Sequence, residues 1–285
     1  VAHTDLHADG EPRSAARQRH AAVFLLYLLA ASVVLTVLAV RPGFEGNPRA
    51  TFTDQVDGRS YRPFAGRILV STLIRGVCSA TPDAFERYVA RYFGQRRFVR
   101  NLGWNSERVY QYFAGLAIMA GCFLATLYIW RNLVARFYHY PSHVASVAPV
   151  IGLLSLTSFF RYLSYMYDPA TLLLFSASIL TLVARTRGLF VVVFTLATLN
   201  KETSVLLVPL YLVRYRRELA PRRLALHAGG LAVLWFSVRA FVAYIVRENP
   251  GRTLEFHIID HNLRLPWLHP FALAYTLAVF GLAVW

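Results

Sequence analysis

An all-α fold is predicted, a polytopic transmembrane helical bundle of about eight membrane segments. The first ground is composition: 56% of the 285 residues are hydrophobic, 16% are charged, and mean hydropathy is +0.42. The second is patterning, because several apolar runs reach the ~20 residues needed to cross a bilayer. The third is the stretch 188–213, GLFVVVFTLATLNKETSVLLVPLYLV, which is apolar except for Asn200, Lys201 and Glu202 near its centre. A charge at mid-bilayer costs about 2.5–3.5 kcal/mol on insertion scales, so its presence there points to function. Lys201 is the only lysine; the other basic side chains among the 30 are arginines.

Residues 1–20 are polar, with Arg13, Arg17 and Arg19 close to the first apolar run, and read as a disordered cytoplasmic tail. Residues 21–285 read as one transmembrane domain, beginning with a span over 21–40, whose apolar core is too long for a signal peptide. The loop 41–108 carries two amphipathic stretches. In 83–100, Phe85, Tyr88, Val89, Tyr92 and Phe93 recur at helical spacing, with Arg87, Arg91, Arg97 and Arg100 between them. In 63–76, Pro63 suits a first helical turn. Basic and aromatic faces of this kind lie in the membrane interface and meet anionic headgroups. Further spans are expected at 109–130, 145–160, 169–184 and 224–246, with a last apolar segment at 268–285. The chain stops inside that segment, which reads either as its true end or as the front part of a longer protein.

The stretch 188–213 has two readings, a single span or a short hairpin tipped by its polar residues. A hairpin puts 12 arginines of tails and short loops on the side of the N-terminus and 4 on the other. That asymmetry obeys the positive-inside rule, with the N-terminus cytoplasmic, and a single span dissolves it. The 12 arginines of loop 41–108 then lie outside, where a loop beyond ~60 residues escapes the rule. The net charge of +15 is distributed between apolar spans, which favours membrane or lipid phosphates as partners and argues against nucleic acid. Cys78 and Cys122 make no disulfide framework.

With the hairpin, one face collects Asp54 and Asp57 from the first loop, Asp168 from SYMYDPATLLL, and Asn200, Lys201, Glu202 and Thr203 from the tip. Arg161, Arg247 and the span residue Arg239 lie nearby, and Arg62 joins them as a phosphate contact. Carboxylates suit proton transfer from an attacking hydroxyl, and cations suit a phosphate leaving group. Each has a purely structural reading as well. Asp57-Gly58 is a turn dipeptide, Asp168-Pro169 an N-cap with proline behind it, and Lys201–Glu202 a water-seeking tip. In FHIIDHN, His257 and His261 sit one turn apart with Asp260 between, but no third strong metal ligand has a fixed spacing.

The order of one helix, a long loop with early aspartates and interfacial helices, then many spans carrying YDPATLLLF and LATLNKETSVLLVPLYL, resembles bacterial membrane glycosyltransferases of the GT-C superfamily. The similarity is to the branch with a YD-x-x-T-L turn and a later LN-[RK]-ET hairpin. It implies transfer of a sugar from a polyprenyl-phosphate donor to an external acceptor, at the inner membrane of a bacterium. It assigns the base to Asp54 or Asp57 and the phosphate to Lys201. No cofactor is the default, because a lipid-phosphate donor lacks the diphosphate that demands a metal, with a divalent metal as the alternative. Relatives with a large soluble C-terminal domain and more spans differ from this chain, so the acceptor-binding part is either absent or supplied by a partner subunit. A flippase of lipid-linked saccharide and a non-catalytic subunit are the competing readings.

Overall fold

The computed structural model describes residues 13–40, 44–138, 140–158 and 165–251, and within them the chain is helical with no strand. The last apolar segment 268–285, Arg161, and His257, Asp260 and His261 lie outside the described residues.

The first helix, α1, runs Arg13–Leu38, so residues 13–20 of the expected tail are already helical. In the long loop, α2 (Phe52–Asp57) is opened by Thr51, whose hydroxyl accepts from the Asp54 amide, and closed by Gly58 at φ 73°. Pro63 leads a 3-10 turn over Phe64–Gly66 instead of the first turn of a helix, and α3 begins later, at Ile68–Ser79. The stretch 83–100 divides into α4 (Asp83–Phe93) and α5 (Arg97–Asn101). In α4 only part of the expected aromatic stripe is outward: Val89 is buried, while Phe85, Tyr88 and Tyr92 are exposed.

The bundle follows with α6 (Val109–Phe137), α7 (Ser142–Ser155), α8 (Asp168–Val183), α9 (Arg187–Asn200), α10 (Leu207–Tyr215) and α11 (Pro221–Ile245). Three helical stretches, Arg17–Leu38, Ser106–Phe137 and Pro221–Ile245, are long and apolar enough to cross a membrane. Four others, α3, α7, α8 and α9, are apolar but shorter. At 1.5 Å per residue a helix of ~15 residues covers roughly 22 Å, short of a ~30 Å hydrocarbon core.

Two apolar cores hold the helices. One joins α1, α6 and α7 to loop aromatics, with Phe52 stacked on Tyr112 at 4.4 Å and Tyr112 on Trp104 at 4.6 Å. Gly115 of α6 permits that approach, since a Cβ there would stand 2.8 Å from the Phe52 ring. The second core joins α8, α9, α10 and α11 around Phe190, Phe194, Tyr211 and Tyr215. Phe190 and Tyr211 lie 5.3 Å apart although 21 residues separate them, so the chain reverses between α9 and α10. Much apolar surface faces outward, with Leu226, Val233 and Phe236 of α11 each about two-thirds exposed. Such a surface is compatible with a lipid environment.

Candidate functional site

The reversal between α9 and α10 turns on Lys201. Its backbone is extended (φ −157°, ψ 139°), which ends α9, and a 3-10 turn over Glu202–Leu206 leads into α10. Asn200, fully buried, donates from Nδ2 to the Tyr167 carbonyl at 3.1 Å and to Thr171 Oγ1 at 2.8 Å. These bonds fasten the hairpin tip to the start of α8. Asn200 Oδ1 remains buried with no hydrogen-bond partner.

Two ion pairs flank the fastening. Lys201 Nζ lies 3.2 Å from Asp168 Oδ1 and 5.5 Å from the centre of the Tyr167 ring. Asp168 does not cap α8: its other oxygen accepts the Tyr165 amide at 3.0 Å, behind the helix start. Arg67 reaches from the first loop with Nη2 2.7 Å and Nε 3.4 Å from the two oxygens of Glu202. Its guanidinium packs 4.5 Å from the Tyr167 ring centre and also bonds the Tyr167 hydroxyl. Burial alone would push the Glu202 carboxyl up, yet the adjacent Arg67 holds it below the usual range.

Arg239 of α11 points inward and donates to the carbonyls of Gly66 at 3.0 Å and Thr198 at 3.4 Å. Trp235, one turn earlier, donates its indole N–H to the Glu202 carbonyl at 3.2 Å. The first loop, the hairpin tip, α8 and α11 therefore meet at one cluster. It holds three cations, Arg67, Lys201 and Arg239, against two carboxylates, Asp168 and Glu202. Beside it lies a cavity of about 400 Å³. Asp168, Thr171 and Thr203 line one part, and the rest is apolar, with Phe123, Leu156, Leu172, Phe175 and Leu206.

The first-loop aspartates are engaged elsewhere. Asp54 accepts from the Thr51 hydroxyl at 2.7 Å, and its carbonyl takes the amides of Arg59 and Ser60. Asp57 pairs with Arg59, and with Arg108 at 2.7 Å. These are the turn-building roles that Thr51-x-x-Asp54 and Asp57-Gly58 also allow. Arg62 lies where the loop meets the end of α11: its amide donates to the Pro250 carbonyl, and its Nε is buried without a partner. Of the expected site residues, Asp168, Lys201, Glu202 and Arg239 come together.

Sequence reasoning missed Arg67, Tyr167 and Trp235. Arg67 stands in an apolar stretch, PFAGRILV, where the same test that flags Lys201 would have flagged it. A second missed group is Glu45, which accepts from the Tyr112 hydroxyl. Burial pushes its carboxyl above the usual range, against the pull of that hydrogen bond. Among the described residues, no three His, Cys, Asp or Glu side chains are grouped to hold a metal ion.

Fold and site together define, among the described residues, an all-helical architecture with three membrane-length apolar helices and a charge cluster at one end of the bundle. No family model matches the chain, and no curated protein or solved structure matches it.

Proposed function

We propose that this protein is an integral-membrane glycosyltransferase that moves a sugar from a polyprenyl-phosphate donor to an acceptor outside a bacterial cytoplasmic membrane. The observation that carries the reading is the Asp168–Lys201 pair beside an apolar cavity of about 400 Å³. Apolar walls suit the first isoprene units of a lipid, and a cation at their edge suits its phosphate. In this reading the acceptor hydroxyl attacks the anomeric carbon, Asp168 takes the hydroxyl proton, and the bond from the sugar to the phosphate oxygen breaks. The lipid phosphate leaves with the bonding electrons, and Lys201 stabilises the charge it gains. Asp168 takes the base role first expected of Asp54 or Asp57 because it borders the cavity while they are held in the loop. The arginine asymmetry supports a cytoplasmic N-terminus. Exposed Phe85, Tyr88 and Tyr92 support an interfacial position for α4.

The test uses the purified chain in liposomes with a short-chain polyprenyl-phosphate sugar. Lys201→Ala is expected to weaken binding of the sugar-free polyprenyl phosphate by roughly 10- to 100-fold, the worth of a charge-assisted hydrogen bond. Lys201→Arg retains part of that binding, and Asp168→Asn binds the lipid but transfers no sugar. Wild-type transfer by both Lys201→Ala and Asp168→Asn overturns the proposal. The break at Lys201 also occurs in the discontinuous helices of transporters. Transbilayer movement of the sugar-linked lipid without transfer would favour that reading.

A further inference from the structure

A cavity of about 390 Å³ opens between α9, α10 and α11 at the base of the hairpin, the end remote from Lys201. Its walls are apolar, with Val191 on α9 and Leu226, Leu231 and Leu234 on α11. Gly188 and Gly230 line it from facing helices, and a Cβ added at either would meet no atom within 4 Å. Tyr211 forms part of the lining, its hydroxyl 2.8 Å from His227 Nδ1. Arg187 stands exposed at the rim, its guanidinium 4.7 Å from the centre of the Tyr215 ring. Segments 185–187 and 214–223 carry seven arginines here against one carboxylate, Glu218, which Arg185 and Arg214 share.

We propose that this groove binds one anionic phospholipid, with an acyl chain between the two glycine-bearing faces and the phosphate on Arg187. The arginine excess selects a negative headgroup. The apolar walls, continuous with exposed Leu226 and Val233, select a lipid over free phosphate, which would gain nothing from them. The Tyr211–His227 pair lies within the groove as a polar partner for an ester or phosphate oxygen. Occupancy would brace α9 against α11 in a region where little else fills the gap. The inference does not rest on the transferase reading.

The experiment is native mass spectrometry of the protein extracted from vesicles of equimolar phosphatidylglycerol and phosphatidylcholine. The wild type is expected to retain phosphatidylglycerol in preference. Arg187→Gln, a change at an exposed position, lowers that retention about fivefold, the weight of one basic residue at an anionic surface. Gly230→Leu, which projects into open space, abolishes retention while the fold persists. Asp57→Ala, a change in the first loop at the opposite end of the bundle, retains the lipid as the wild type does. Equal retention of both lipids, wild-type retention by Arg187→Gln and Gly230→Leu, or displacement by millimolar inorganic phosphate would each overturn the proposal.

Discussion

The joint between the first loop and the hairpin tip can be weighed through Arg67 and Glu202. Their side chains are 10% and 26% exposed, and two N–H groups of one guanidinium face the two carboxylate oxygens. Removing one partner of a fully buried pair costs about 3–5 kcal/mol, because the other charge stays buried without compensation. Glu202 keeps some water, so about 2–4 kcal/mol is expected for Arg67→Met or Glu202→Gln. Arg67→Met also loses the packing on Phe64 and Tyr167, which belongs to that single variant and cancels in a double-mutant cycle. The coupling that remains should be about 1.5–3 kcal/mol, that of hydrogen bonds between charged groups. Equilibrium unfolding in detergent, followed by tryptophan fluorescence, supplies the four stabilities. Additivity of the two single variants within about 0.5 kcal/mol would refute the reasoning and reduce this joint to a bystander.

Three further outcomes follow from the same geometry. The Glu202 carboxyl titrates below its unfolded value, so its contribution is present above about pH 4.3 and is lost as pH falls through the folded value. The stability difference between wild type and Glu202→Gln should therefore narrow as pH is lowered below 4, and a difference that widens would contradict the assignment. Gly115→Ala should destabilise by about 1–3 kcal/mol, because its Cβ meets the Phe52 ring at 2.8 Å; an unchanged melting temperature would show that α2 shifts freely. Asp57→Ala should cost about 1 kcal/mol, since Arg59 is 67% exposed and Arg108 is 31% exposed, and should leave transfer intact. Loss of transfer with unchanged stability would return Asp57 to the reacting centre.

Legibility followed physical cost. Lys201 and Glu202 stand out in the sequence because charge in an apolar run demands a reason, and the chain does reverse there. Among the described residues the apolar runs correspond to helices, since period and length survive in any packing. Asp54 and Asp57 were legible as turn formers and as acids, and sequence offers no way to choose between them. The deciding facts are Thr51, three residues away, and Arg108, which tertiary structure brings from 51 residues on. Asp168 misled in the opposite way. Its Asp-Pro context suggests a cap, but the carboxylate turns back to the Tyr165 amide and out to Lys201. Arg67 shows the limit most plainly: its apolar surroundings mark it as unusual, but its partner lies 135 residues downstream, and only the folded joint shows what it pairs with.

Asn249 donates to the carbonyls of Gly58 and Ser60, and Arg62 bridges to Gly251, so the end of α11 is tied to the first loop. That tie has a consequence for parity. The first loop, the start of α8, the hairpin tip and the end of α11 all share one pole of the molecule. The connections 184–187 and 216–220, together with the start of α1, share the other. A bilayer laid across the three long helices puts these poles in different compartments, whichever way the chain is inserted. Among the described carboxylates, Glu218 alone belongs to the second pole, and Arg185 and Arg214 share it. Among the described residues the two poles thus differ in charge, mixed at one and mostly cationic at the other, and a membrane potential across the three long helices would act on them with a definite sign.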